Sequence, residues 1–364
     1  MKDIGSIFPL YDEDIALVNR TERNNVVQGS RINFSLCREA MFAVASKYES
    51  SSKVVLIPSY TCQTVIDPFV QLGWTCYFYN IKTCYFYNIK KNLRIDTDDI
   101  LQKSSKYNPF LLVVHPFHGM ELLNEELDAL RIIKRKGCIL LEDVTQCIYE
   151  EKRPDVFDYF TGSYRKWFKV PDGGFLEARN LDGLPIPSEE NHSFVQKRTD
   201  AMFLRGNYFK TSDENIKAIS IRLNKEAVKG IGVQIECHRM SAFSINIMEK
   251  ENHENSIQTR FDNYKYLYYH IKESCELQFV CKNLDEVTTA PLYFPIYVSN
   301  RSAFQRKLAN KHIYAPVLWP VQTKDVLINE EVEYIYSHIL MLPIDQRYSI
   351  DDMIKIVELA NGKD

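Results

Sequence analysis

Short apolar runs alternate with polar stretches of helical period through the first half of the chain. Residues 54–58 (VVLIP), a tyrosine-rich run from Thr75, 110–116 (FLLVVHP), 138–144 (CILLEDV) and 173–178 (GGFLEA) are too short for buried helices. They read as strands, several of them covered on both faces. Helical periodicity opens near Ser35, near Thr61 and near Glu121, the last ending at Gly137, a residue suited to a left-handed C-cap. Such alternation predicts an α/β fold with a mostly parallel sheet wrapped by helices. From Ser188 to about Lys272 the chain is polar and helical in period, without strand patterns. Aromatic-rich helices around 201–209 and 261–271 are expected to pack on the large domain or on a dimer partner. From about Thr288 the pattern is strand, helix, strand, strand, helix, and Ser349 with Asp352 makes an S-x-x-D capping box. The expected division is 1–250 for a large domain, including the N-terminal segment and the helical region 188–250, and 251–364 for a smaller α+β domain.

One segment breaks the pattern. TCYFYNIK occurs twice in tandem, at 75–82 and 83–90. A single strand through both copies would run roughly 53 Å at about 3.3 Å per residue, far beyond an ordinary strand. One copy must leave the sheet, by looping out or by a hairpin turning near Asn80 to Thr83. Because the repeat length is even, either copy presents the same faces to the sheet.

Composition narrows the partners. The chain has 364 residues, with 45 Lys and Arg against 48 Asp and Glu, mixed along its length, for a net charge of −3. That balance carries no nucleic-acid footprint. No apolar run approaches the roughly twenty residues that span a membrane. The opening MKDIGSIFPLYDEDI lacks the apolar centre of a signal peptide. Nine cysteines without a C-x-x-C pair fit reduced thiols in a cytoplasmic protein and no metal site.

Candidate chemistry concentrates between Ile139 and Gly174. Asp143 ends an apolar strand, where open α/β sheets place their ligands. Gln146 follows, then Ser163, Lys166 and the pair Gly173-Gly174. A buried carboxylate is costly unless a cation meets it. Pyridoxal phosphate (PLP) needs a carboxylate against its protonated ring nitrogen and an amine to hold its aldehyde. Taken singly, Asp143 could cap a turn and Lys166 could be a solvated lysine beside Arg165 and Lys169; the joint pattern argues for the cofactor. Lys169 is the competing amine. Upstream, Ser35, Cys37 and Arg38 open an amphipathic run, and the free N–H groups of a helix start bind anions. An ordinary capped core helix with an exposed arginine is the alternative there.

These segments, in this order, resemble the DegT/DnrJ/StrS family of PLP-dependent sugar aminotransferases. The family pattern is "ED-x-x-Q", a Ser/Lys segment, and a Gly-Gly turn about seven residues after the lysine. Lys166 stands seven residues before Gly173; Lys169 does not. SLCREA (35–40) is similar to the family's phosphate-cup segment, IPSYTCQTV (57–65) to its "P-x-x-T-aromatic" segment and HPFHG (115–119) to its "H-x-x-G" strand end. LANKHIYAPVLWP (308–320) and LPIDQRYSIDDMIKIV (342–357) are similar to its small-domain strand and last helix.

The resemblance implies a fold type I PLP-transferase, with a large domain whose mostly parallel sheet lies between helices and a smaller C-terminal α+β domain. It implies that Lys166 holds the cofactor and moves protons, that Asp143 faces the ring nitrogen, and that Gln146 bonds the phenolic oxygen. Thr161 or Ser163, with Cys37 and Arg38, would hold the phosphate. Cys62 falls where the family stacks an aromatic on the ring. Cys237 falls where a partner subunit usually supplies asparagine, leaving Arg239 to reach the partner's phosphate. Thr161 takes the usual serine position, five before the lysine. Tyr60 and His118 are weaker candidates for lining the pocket. The implied activity is transfer of an amino group from an amino acid such as glutamate to a keto-sugar, nucleotide-linked as in polysaccharide or antibiotic-sugar synthesis, by a homodimer with its site at the interface. A dehydratase branch replaces the lysine by histidine, which Lys166 argues against. A non-catalytic scaffold or regulator is the alternative of a different class.

Overall fold

The apolar runs become neighbouring strands. The computed structural model describes residues 3–16, 27–49, 52–75, 85–150, 152–232, 234–319 and 329–362. Strands β1 (Val27–Gln28), β2 (Arg31–Phe34), β3 (Val55–Pro58), β4 (Tyr85–Tyr87), β5 (Leu111–Val114), β6 (Ile139–Asp143), β7 (Tyr159–Ser163) and β8 (Gly174–Ala178) form one sheet. Its order is β1-β2-β8-β7-β6-β5-β3-β4. The five strands from β4 to β7 run parallel, and β8, β2 and β1 extend the sheet antiparallel to their neighbours. A second, antiparallel sheet holds β9 (Leu277–Phe279), β10 (Phe294–Val298) and β11 (Ile339–Leu342).

The central strands are buried on both faces, and successive side chains go to different cores. Leu56, Leu112, Val114, Leu140 and Val144 join the core shared with the second sheet. Val55, Ile57, Leu111, Val113 and Leu141 join the core on the other face. Each such side chain, fully buried, is worth about 1.5–3 kcal/mol relative to exposure. The five parallel strands share one direction, so that their carboxyl ends meet along a single edge.

The helices are α1 (Asp12–Ile15), α2 (Cys37–Lys47), α3 (Gln63–Gln71), α4 (Thr97–Tyr107), α5 (Asn124–Arg135), α6 (His192–Thr211), α7 (Glu214–Gly230), α8 (Ala242–Met248), α9 (His253–His270), α10 (Arg301–Asn310), α11 (Glu330–His338) and α12 (Ile350–Ala360). Gly137 ends α5 with φ +92°, as its sequence position predicts. The capping box of α12 forms, with the Ser349 N–H donating to Asp352 Oδ2 at 3.2 Å. The aromatic helix over 261–271 differs from expectation. As α9 it packs on the second sheet, Tyr264 against Phe294 at 4.6 Å and Tyr268 against Phe279 at 5.4 Å. Its Asn263 donates to the carbonyls of Ile344 and Tyr348. Periodicity shows that a helix has an apolar face but not which sheet covers it.

The repeat is resolved in part by register. Val54 pairs with Thr75, and two residues further along β3 Leu56 pairs with Tyr85. Ten residues separate Thr75 from Tyr85, and the excess of eight is one repeat length. The second copy supplies β4 and buries Tyr87 and Ile89. Residues 76–84, including the turn expected near Asn80 to Thr83, lie outside the described residues.

Candidate active site

Asp143 ends β6, and Thr161 of β7 is its direct partner in the parallel ladder. The strand ends there, and a short 3₁₀ turn over Val144–Gln146 follows. The Thr145 N–H donates to Asp143 Oδ1 at 3.1 Å, the Thr145 hydroxyl donates to the same oxygen, and the Cys37 thiol lies 3.8 Å from it. His115, just beyond β5, sets its Nδ1 3.5 Å from Oδ2. Its Nε2 is 2.7 Å from the Thr61 hydroxyl beyond β3. Burial holds His115 below the usual histidine range, with Asp143 opposing the shift, so its ring is neutral. Asp143 is 8% exposed and held from both sides.

Lys166 follows β7 in another 3₁₀ turn, Tyr164–Lys166. It lines one cavity of about 190 Å³ together with Cys37, Arg38, Cys62, Asp143 and Ser163. Lys169 goes elsewhere: it pairs with Asp14 at 2.6 Å and lines a separate cavity of about 620 Å³. Of the two candidate amines, Lys166 alone shares a cavity with Asp143.

The cavity fits an anionic group at one end. Helix α2 enters it with Leu36 as N-cap and no side chain capping its first amides, so those N–H groups are available to an anion. Thr161, 0% exposed and not among the residues that line the cavity, has a hydroxyl with no partner among the described residues. Gly173, at φ +136°, and Gly174 let β8 pass against this helix start. A Cβ on Gly174 would lie 2.3 Å from the Cys37 nitrogen. The Gly-Gly pair is thus required by a close backbone approach.

The other predicted residues divide. Arg38 lines the cavity but gives its guanidinium to the carbonyls of Ile231 and Gly232, at 2.8 and 3.1 Å. Gln146 is buried, with its Oε1 unpartnered among the described residues. Cys62 caps α3 at the cavity edge. Tyr60 is fully buried packing, its hydroxyl donating to the Leu318 carbonyl at 3.3 Å. His118 is buried away from this cavity beside Tyr293, and burial, then Lys166, pushes it down to about 3. Arg239 also lies outside the cavity. Its Nε donates to the Ser188 carbonyl and its Nη1 pairs with Glu190, both at 3.0 Å. Its expected target is a phosphate in a second subunit.

Four residues of the site carry no signal in the sequence that singles them out. His115 stood inside the quoted HPFHG segment, and Thr145 inside the acid motif. Arg165, in sequence one of a cluster of basic residues, lines the cavity beside Lys166. Trp319 reaches the same cavity from the second sheet's side of the chain, with φ +56°, and packs on Tyr60 at 4.9 Å and His115 at 6.0 Å. It brings an aromatic ring to the cavity whose edge holds Cys62.

No family model matches the sequence, and no curated protein matches it. Solved structures do match its fold. The aminotransferase TlmJ from Streptoalloteichus hindustanus is 15% identical, with 99% of this chain and 98% of that chain covered at a TM-score of 0.68. A DegT DnrJ EryC1 StrS aminotransferase from Brucella abortus is 14% identical, with 98% and 91% covered at 0.63. NtdA from Bacillus subtilis, solved with bound cofactor PMP, is 15% identical, with 91% and 72% covered at 0.63. The chain therefore has the α/β fold of the fold type I PLP aminotransferases. Within that class it shares the whole-chain architecture of the DegT/DnrJ/EryC1/StrS type.

Proposed function

We propose that this chain is a PLP-dependent aminotransferase that moves an amino group from an amino acid to a keto-sugar. The observation that carries the reading is the meeting of Lys166 and Asp143 in one cavity that also receives the uncapped start of α2. PLP bound there would supply the electron sink that stabilises a carbanion at the amine-bearing carbon. The α2 amides, Thr161 and Ser163 would bind its phosphate. Asp143, steadied by Thr145 and His115, would keep the ring nitrogen protonated. Lys166 Nζ would hold the aldehyde carbon, then take the proton from the donor's α-carbon and return it on the acceptor side. Gln146 would bond the phenolic oxygen. Cys62 and Trp319 would pack on the ring.

The finer statements follow the resemblance: glutamate as donor, a nucleotide-linked sugar as acceptor, and a cytoplasmic homodimer in which Arg239 reaches the partner's phosphate. The division into a cofactor-binding part, 1–250, and a small domain, 251–364, belongs to the same reading. Val228 lines the cavity, and with Ile221, seven residues earlier on the same face of α7, it exposes apolar surface, which supports a partner there. Among the described residues no helix is long and apolar enough to cross a membrane.

The test is spectroscopic. Protein purified with PLP should carry a visible absorbance band that glutamate bleaches and a keto-sugar nucleotide restores. A colourless protein that takes up no PLP would overturn the reading in favour of a non-catalytic scaffold. A band that persists unchanged with every amino donor would overturn the transaminase assignment.

A further inference from the structure

Four cations line the cavity at Lys166 against one carboxylate: Arg38, Arg165, Lys166 and Lys229 against Asp143. In the function proposed above, Asp143 and Lys166 are committed to the ring nitrogen and the aldehyde. Three cations remain for the phosphate, and their surroundings separate them. Burial lowers Arg165, and the Asp172 carboxylate opposes that shift. Arg38 gives both Nη atoms to backbone, Nη2 to the Ile231 carbonyl at 2.8 Å and Nη1 to the Gly232 carbonyl at 3.1 Å. Lys229 is exposed, and its ammonium has no hydrogen bond or ion pair among the described residues.

The two bonds from Arg38 explain why a lysine of α7 stands at this cavity. Ile231 is the C-cap of α7. Carbonyls at a helix end carry partial negative charge and by themselves repel an anion. Arg38 is the second residue of α2, whose first amides have no side-chain cap. Its guanidinium offsets the charge of the α7 end and clamps that end beside the α2 start. Val228, Lys229, Ile231 and Gly232 thereby line the same cavity as Leu36 and Cys37. Arg38 is 9% exposed, yet its buried Nε has no partner among the described residues. A buried donor left unpaired calls for an acceptor from outside the chain. Two helix ends of opposite sign therefore meet here. The α2 start attracts an anion, and the α7 end, once covered by Arg38, carries a lysine to it.

We propose that Lys229 binds the phosphate of the cofactor, and that Arg38 is a positioning residue that brings it there by clamping the end of α7. The proposal rests on the PLP reading. A lysine ammonium is a compact point charge suited to a phosphate, whereas the Arg38 fork is already spent on two carbonyls.

Comparing PLP with pyridoxal, which keeps the ring and aldehyde but lacks the phosphate, tests it. Both are titrated into the full chain stripped of cofactor, followed by quenching of tryptophan fluorescence. Wild type should prefer PLP. Lys229→Met should weaken PLP about tenfold, the loss expected of a charge-assisted bond, and leave pyridoxal unchanged. Lys229→Arg should recover most of the affinity. Because Lys229 is exposed, the melting temperature of the stripped protein should not move. Arg38→Met should weaken PLP at least as much, and adding Lys229→Met to it should cost less than about threefold more, because the two residues act as a unit. Unchanged PLP affinity in Lys229→Met, or equal weakening of PLP and pyridoxal, would overturn the assignment of Lys229. Full additivity of the two substitutions would overturn the positioning role of Arg38. If Arg38→Met does not fold, the Lys229 variants decide. Wild-type protein that binds neither aldehyde would sink the PLP reading and this proposal with it. Wild type that binds PLP, with a Lys229→Met variant that binds it equally well, would sink this proposal alone.

Discussion

Glu142 and Asp143 are neighbours in sequence and end on opposite faces of the same sheet. Asp143 opens into a cavity, where Thr145, Cys37 and His115 orient its oxygens. Glu142 is 0% exposed, and neither of its oxygens has a hydrogen-bond partner among the described residues. Burial, with Glu150 adding to it, raises Glu142 well above the ordinary glutamate range, which favours its neutral form, whereas Asp143 has polar partners. The two acids show that a carboxylate's chemistry is set by the face it lands on, not by residue type. One acid is arranged to meet a cation; the other is a stability cost.

That contrast can be broken experimentally, beginning with its catalytic side. Lys166→Ala should remove the visible cofactor band and reduce transamination by roughly 10²–10⁴-fold, the span expected of a proton-transfer group, as spectra and steady-state rates would record. Asp143→Asn should keep the band but lower kcat by roughly 10²–10³-fold, through lost charge stabilisation. Equal activity in Asp143→Asn and wild type would remove the distinction between the two faces.

The other face is tested by pH. Burial lifts Glu150 to about 7 against the pull of Arg153, and it raises Glu142 as well. Folded-state values above the unfolded value of about 4.3 mean that the unfolded chain loses these protons first as pH rises. The stability they contribute is therefore fullest below the unfolded value and is lost as pH climbs through about 7. Denaturant unfolding should show that decline. Glu142→Gln should flatten it and add about 1–3 kcal/mol at pH 8, with activity within a few-fold of wild type. A steeper decline in the variant would show that Glu142 is paired after all.

Two smaller effects probe the frame that holds both acids. A Cβ on Gly174 would press on the Cys37 nitrogen at 2.3 Å. Gly174→Ala should cost about 1–3 kcal/mol from overpacking and weaken PLP binding in a fluorescence titration. Removing one copy of TCYFYNIK yields the same chain whichever copy is taken, and it joins Thr75 to the Tyr85 register with no gap. Thermal melts should place that deletion within about 1 kcal/mol of wild type, because changing loop length costs little. Loss of folding would show that the extra copy is not an insertion ahead of β4.

Strands β1, β2 and β7 were not legible in the sequence, whereas the positions of β3, β4, β5, β6 and β8, the acid at the end of β6 and the need for glycine at 173 and 174 were. Each depends on period or local backbone conformation, which neighbouring residues impose. The choice between Lys166 and Lys169 was not legible from their chemistry. They stand three residues apart, and which one shares Asp143's cavity depends on the turn after β7 and on Asp14 drawing Lys169 away. The direction in which α9 packs was likewise invisible, because an apolar helical face does not name its partner.

By itself the sequence determined the alternation of buried strands and helices, the acid-to-lysine spacing and the even-length repeat, since these are properties of residues close together along the chain. Tertiary structure alone decided that Trp319 would meet a cavity lined by residues from 36–166 and 228–232, and that Arg260 and Arg347 would stand beside Arg165. Those meetings join segments far apart in sequence. They form because packing two cores against one sheet leaves few arrangements that bury both, a condition that no local pattern contains.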